Sequence, residues 1–521
     1  MRVRRHRLAA CAALLLLTLA GCGGGGSNPS SSVSSPGPDI GYAIGGTLTG
    51  LESGGQVTLT NNGADPLTLT ANGSFTFSAD VATGASYKVT VDSQPNDQYC
   101  AVSSGSGVMS GSPVIGVQVT CSANERVLYT FAGGNDGMFP VGGLIMDSAG
   151  DLFGTTVAGG DSIIGDPNCS NGCGTVFELS PNGSGGYSES ILYRFTGTGD
   201  GSNPASALVM DSEGNLYGTT QWGGSDTYGT VFELVPNGGG GYTESILYSF
   251  TGGSDGNEPH ARLLIDGAGN LYGTTYYGGV ISGPDCGTGC GTVFELSHGS
   301  GGYTESILYR FTDSPDGAFP QGGLIRDSAG NLYGTTSLGG VSNCEAGCGT
   351  VFELSKSGGA YTEAILLRFT GNADDNWPFA GLTEDGAGNL YGSTVGSGCP
   401  GPCGTVYELA RATGGAYTES ILYSFTGGND GSEPFGAAIL DRSGNLYGAT
   451  NGGTSTQDGT VYEITHSGGI NSESTLHTFS GGTDGARSYS RLVMDNAGNL
   501  YGTTKYGGSS NNGVVFEVLL H

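Results

Sequence analysis

Four pairs of cysteines stand at the spacing Cys-x-x-x-Cys: Cys169/Cys173, Cys286/Cys290, Cys344/Cys348 and Cys399/Cys403. A more distant pair is Cys100 and Cys121. Two thiols at this spacing make either a local disulfide or half of a tetrahedral zinc site. Zinc would require two loops to meet, because no histidine neighbours any pair. The equivalent loops at 225–228, 455–458 and 509–512 lack both cysteines, so thiols come and go together, as disulfide partners do. A second recurring group, Asp136, Asp200, Asp255, Asp316, Asp374, Asp430 and Asp484, occupies Gly-Gly-x-Asp-Gly-x-x-Pro segments and their variants. Carboxylates repeated in this way could hold Ca²⁺, which takes oxygen ligands, but Asp-Gly is also a plain turn signal, and a turn is the preferred expectation. Whether any metal is bound stays open. The histidines His260, His298, His466, His477 and His521 share no spacing, and the chain has no nucleophile elbow, phosphate loop or H-E-x-x-H motif.

These residues recur because the segments carrying them recur, and such internal repetition is the first signal to read. Gly-Asn-Leu-Tyr-Gly-Thr-Thr, or a close variant, begins at Gly150, Gly214, Gly269, Gly330, Gly388, Gly444 and Gly498. Gly-Thr-Val-Phe-Glu-Leu ends at Leu179, Leu234, Leu296, Leu354, Leu409, Ile464 and Val518. Glu-Ser-Ile-Leu-Tyr-Ser-Phe ends at Phe131, Phe195, Phe250, Phe311, Phe369, Phe425 and Phe479. Each phrase is short, rich in β-branched and aromatic residues, and bounded by turn formers, which predicts strands. A fourth strand is expected after each Pro, for example over 141–146 and 205–210. It ends at Asp147, Asp211, Asp266, Asp327, Asp385, Asp441 or Asp495, in an Asp-x-x-Gly-Asn pattern that reads as a hairpin turn, the Asp capping backbone N–H groups. A catalytic Asp ring is the sharper alternative.

Four strands per unit and seven units predict an all-β fold, a seven-bladed β-propeller of four-stranded blades. One such sheet cannot bury both its faces, whereas a ring of them can. The order of phrases favours a ring over an open solenoid. The array opens with an outer-strand phrase at 127–131 and closes with a third-strand phrase at 514–518, so the two are expected to pair and complete the last blade. Through these three phrases, residues 125–521 resemble the GloVer-type tandem repeats of bacterial surface proteins. The resemblance implies an exported, variously anchored protein and no settled activity or catalytic residues.

Within so regular an array, positions that vary mark where a function can break the symmetry. One residue beyond each Pro position stand Val141, Ala205, His260, Gln321, Phe379, Phe435 and Tyr489; two places further come Gly143, Ala207, Arg262, Gly323, Gly381, Ala437 and Arg491. Side chains two apart on an extended segment share a face. His260, Arg262, Gln321, Phe379, Phe435, Tyr489 and Arg491 are therefore the expected ligand surface at the channel mouth, unless they serve packing alone.

The N-terminus adds an address. Arg2, Arg4, Arg5 and Arg7 precede an apolar run too short to span a bilayer, and the run ends in Leu19-Ala20-Gly21-Cys22, which resembles a bacterial lipobox. Residues 1–21 are thus expected to be a lipoprotein signal peptide and Cys22 the lipidated residue, tying the protein to the cell envelope at the outer membrane or cell surface. Residues 22–38, rich in Gly, Ser and Pro, form a flexible tether. Residues 39–123 show short alternating strands, read as a small antiparallel sandwich of Ig-like or prealbumin-like type stapled by Cys100 and Cys121; the propeller occupies 124–521. A net charge of −30 argues against nucleic acid as a partner and against adhesion to anionic lipid. The expected protein is a monomeric surface binding or scaffold propeller with no cofactor, taking a glycan, peptide or protein ligand. The alternative is a hydrolase or lyase with a Ca²⁺-dependent site at the channel mouth.

Overall fold

The computed structural model describes residues 41–520 apart from 96–97, 161–168, 184–185, 198, 282–285, 342–343, 345–346, 372–375, 397–402, 454–457 and 468–469. The expected signal peptide, Cys22, the tether, Asp374 and Cys399 lie outside the described residues. Among the described residues no helix is long and apolar enough to cross a membrane.

The array is all-β and propeller-like: between Glu125 and Val518 the described residues form seven four-stranded antiparallel sheets. The third unit shows the plan, with strands Leu264–Ile265, Leu271–Thr275, Thr292–Gly299 and Gly302–Arg310 hydrogen-bonded in that order. Leu271–Thr275 is buried on both faces because other sheets flank it on both sides, whereas Gly302–Arg310 begins with alternate exposed and half-buried residues, as an outer strand should. Glu125–Thr130 pairs with Val514–Val518, Val127 standing opposite Phe516, so the last sheet takes its outer strand from the start of the array.

The innermost strands are shorter than the expected 141–146 and 205–210, being only Ile145–Met146 and Val209–Met210. The residues before them hydrogen-bond sideways, to the neighbouring unit. Thr155 Oγ1 donates to the Ser206 carbonyl at 3.1 Å, Thr335 Oγ1 to Ala380 at 2.8 Å, and Thr503 Oγ1 to Gly142 at 3.2 Å. Carbonyls that a ladder would use are taken by the preceding unit's hydroxyls.

Within the apolar cluster between each two neighbouring sheets one aromatic contact recurs. Phe250, after the outer strand of one sheet, sets its ring edge-on to Phe294 of the next, centroids 5.2 Å apart. The same pair recurs as Phe195–Phe232, Phe311–Phe352, Phe369–Tyr407, Phe425–Tyr462 and Phe479–Phe516. A seventh, Phe131–Phe177, joins the last sheet to the first. All these rings are buried, and such edge-to-face pairs add about 0.5–1.5 kcal/mol beyond burial.

Residues 41–123 form two four-stranded sheets and a two-stranded one around a shared core that includes Ile44, Leu59, Phe75 and Val117. The expected purely antiparallel sandwich is corrected here, because Val114–Ala123 runs parallel to Ile44–Thr49. The last strand returns beside the first after the intervening chain has built the second sheet, and both run in one direction. Cys100 and Cys121 face each other across neighbouring strands and are bonded.

The sheet interfaces also press carboxylates together. Burial raises Glu189, Glu244 and Glu363 to about 7, and each is pushed further by an aspartate of the preceding unit: Asp136, Asp200 and Asp316. Glu125 is raised to about 7 chiefly by burial, and Glu305 is raised by burial and Asp255. A carboxyl whose folded pKa exceeds its unfolded value binds more protons in the folded state, so stability declines as pH rises between the two. We predict that the melting temperature rises as pH falls from about 7.5 to about 5, read by circular dichroism. A flat or falling profile across that window would show that these glutamates are not desolvated.

Candidate functional site

The residue before each Pro position adopts a left-handed backbone: Phe139, Asn203, Glu258, Phe319, Trp377, Glu433 and Arg487 have φ between 54° and 61°. Non-glycine residues enter this region at a cost of roughly 1 kcal/mol, and a residue preceding proline is ordinarily extended. Backbone hydrogen bonds hold it there: Glu258 N–H donates to Tyr228 O at 3.0 Å, and Glu258 O accepts from Tyr276 N at 3.0 Å. Because the backbone fixes the turn, its side chain is free to vary. The following Pro then launches the inner segment toward the centre of the array.

There the inner segments of all seven units line one cavity of about 470 Å³. All seven residues expected to form the ligand surface are brought together in it: His260, Arg262, Gln321, Phe379, Phe435, Tyr489 and Arg491. Each is half-buried. Phe379 stacks on Phe435 with centroids 5.4 Å apart and planes 22° apart, and Phe435 meets Tyr489 at 5.0 Å. Three consecutive units thus present one aromatic arc, and Lys505 Nζ lies 5.3 Å from the Tyr489 centroid.

The facing units are polar. His260 Nδ1 lies 3.0 Å from Gln221 Nε2 and its Nε2 lies 3.3 Å from Glu258 Oε2. An amide nitrogen only donates, so Nδ1 accepts and Nε2–H points at the carboxylate. Both ring nitrogens are engaged, and the ring packs on Tyr276 at 5.2 Å. Two residues deeper stand Arg262 and Arg491. Burial lowers the pKa of both guanidinium groups, and Arg491, which also feels Arg262, is brought to about 10.

The partners Gln221, Glu258, Lys505 and Tyr276 escaped the sequence reading. The signal was present: the residue before each Pro and the residue after each Gly-Thr-Thr vary as freely as those singled out.

The pattern known as the Gloeobacter/Verrucomicrobia repeat matches residues 166–402 and 387–521, well over half of the chain. The chain belongs to that repeat family. No curated protein matches it. Among solved structures, it is similar to the extracellular domain of a protein assigned as a hybrid two component system from B. thetaiotaomicron, with 14% identity and a TM-score of 0.46. That match covers 79% of this chain and 43% of the other, so the chain spans less than half the length of this relative. PorZ, a bacterial surface component of the type-IX secretion system of Porphyromonas gingivalis, matches at 13% identity and a TM-score of 0.43, covering 89% and 60%. A gluconolactonase from Xanthomonas campestris matches at 13% and 0.36, covering 62% and 85%.

In this Gloeobacter/Verrucomicrobia repeat protein the loop aspartates act as turn braces. Asp255 accepts from Thr251 N at 2.8 Å, Thr251 Oγ1 at 2.6 Å and Tyr248 Oη at 3.1 Å. Asp200 and Asp430 repeat this set. The Asp-x-x-Gly-Asn aspartates are braces too, Asp266 Oδ1 accepting from Ala268 N and Asn270 N at 2.9 and 3.0 Å. The cysteine loops lie on the rim of the Asp-Gly turns, Gly160 N donating to Gly134 O at 2.8 Å. Cys169–Cys173, Cys286–Cys290 and Cys344–Cys348 are disulfides, and Cys403 is disulfide-bonded as well. Such bonds form and persist in oxidising compartments outside the cytosol. Replacing Asp255 with Ala should cost about 2 kcal/mol of stability by stranding its donors, and EDTA should leave the melting temperature unchanged. A fall with EDTA that Ca²⁺ restores would make these carboxylates metal ligands instead.

Proposed function

We propose that this is an exported surface binding protein that takes a saccharide at the cavity mouth. The seven sheets serve as blades of one closed seven-bladed propeller, a reading supported by the pairing of 125–130 with 514–518 and the Phe131–Phe177 contact between last and first sheets. The observation that carries the binding role is the aromatic arc Phe379–Phe435–Tyr489 at the edge of a cavity large enough for one or two sugar rings. Aromatic faces suit the C–H faces of a sugar, and polar groups such as Gln321 and the His260–Glu258 pair suit its hydroxyls. His260, held at both nitrogens, is poorly placed as a free base, and no observation favours the hydrolase or lyase reading.

The chain as a whole divides into a signal peptide at 1–21, lipidated Cys22, a tether to 38, a spacer module at 39–123 and the propeller at 124–521. The protein works as a monomer on the envelope. Radiolabelled palmitate should enter the protein in cells and fail to enter Cys22→Ala; labelling of both forms would refute the anchor.

An oligosaccharide array probed with the full chain should show saturable binding. Phe435→Ala and Tyr489→Ala should each weaken it by about three- to tenfold. Binding that ignores both substitutions would remove the mouth from the proposal.

A further inference from the structure

We propose that the deep part of the cavity is an oxyanion site, in which Arg262 and Arg491 together grip a carboxylate, sulfate or phosphate group. The inference rests on the binding proposal only in using the same cavity, and it names the ligand class: an acidic saccharide rather than a neutral one.

Four observations support it. First, the position two residues beyond the mouth residue is Gly or Ala in five units, Gly143, Ala207, Gly323, Gly381 and Ala437, and arginine in two. Two of the small residues pack directly against the arginine segments, Gly323 against the backbone and Cβ of Arg262 and Gly143 against the backbone of Arg491. Second, these cations are uncompensated. Arg491 Nε is buried without a hydrogen-bond partner, and neither arginine has an ion-pair partner among the described residues. Arg262 has one long hydrogen bond, its Nε to Leu208 O at 3.4 Å.

Third, both arginines line the same cavity, and the charge of Arg262 is felt at Arg491. Like charges sharing one partly desolvated cavity are unfavourable unless a counter-charge joins them. The cavity's protein groups offer little: its one lining carboxylate, Glu384, lies at the far end of its inner segment, where Arg411 acts on it. Fourth, this cation-lined cavity sits in a chain whose net charge is −30. Planar guanidinium forks match an oxyanion by paired N–H···O bonds, and nothing else in the cavity needs two of them.

Isothermal titration of the full chain with sodium sulfate, inorganic phosphate and sodium acetate, at constant ionic strength set with chloride, tests the site. The expected result is saturable uptake of at least one of these anions at a single site. It should weaken about tenfold or more in Arg491→Gln and Arg262→Gln, with Arg194→Gln on the outer face as an unaffected control. Arg491→Lys, which keeps the charge and loses the fork, covers the case in which the neutral variant fails to fold; it should bind measurably more weakly than the parent. No saturable uptake of any of the three, or uptake unchanged in both arginine variants, overturns the proposal. Anion uptake without any saccharide binding would support this site and sink the aromatic mouth. Neutral oligosaccharide binding that persists in Arg491→Gln, with no anion uptake, would do the reverse.

Discussion

A four-stranded sheet flanked on both sides by its like has no polar face to turn to water, so each gap between sheets must be filled with apolar atoms. An edge-to-face aromatic pair stands inside the apolar cluster at every interface, and it dictates what surrounds it. The Phe294 ring lies over Gly273, where an added Cβ would stand 2.5 Å from the ring and 2.9 Å from Leu263. That is why the strand phrase carries glycine at its centre despite the cost of glycine in a strand interior. The ring, the glycine and the flanking leucine form one interlocking set. Changing any of them alone either opens a cavity or forces an overlap, so the phrase repeats while the loops between phrases drift in length.

The same constraint explains where variety is tolerated. Near the centre, neighbouring units bind each other through Thr hydroxyls and backbone carbonyls, interactions that ask nothing of the side chains on the inner segment. The left-handed residue before each Pro is likewise fixed by its own amide and carbonyl. Side chains at these places meet one another, the cavity or a neighbouring loop, as His260 meets Gln221 and Tyr276, and composition there ranges from Gly to Arg and Phe. A scaffold whose specifications lie wholly in its interfaces leaves its mouth free to be built for a ligand.

Much of this was legible from spacing alone. Three phrases fixed three of the four strands, their order foretold the pairing of 127–131 with 514–518, and residues varying two apart on one segment fell around one cavity. What escaped depends on partners in another unit. The inner strand was read too long because its carbonyls are claimed by a hydroxyl some fifty residues away, as in Thr155 to Ser206. The pressing of Glu189 on Asp136 is invisible within one repeat, since the aspartate belongs to the preceding unit. The left-handed residues run against the ordinary behaviour of residues before proline, and no local rule would have found them. The parallel strand pair of the N-terminal module is a choice of topology between segments that look alike.

Electrostatics gives the mouth a particular character. At physiological ionic strength exposed charges are screened beyond roughly 8 Å, so the acidic exterior neither draws an anion toward the cavity nor repels it strongly from afar. Inside the cavity screening is weak, and Arg262 and Arg491 dominate what an entering group feels. Were an anion to enter as proposed, attraction would begin only once it had passed the aromatic arc of Phe379, Phe435 and Tyr489 and shed part of its water. On the two proposals together, a molecule carrying both a flat face and a negative charge would be favoured, through contact geometry rather than through long-range steering.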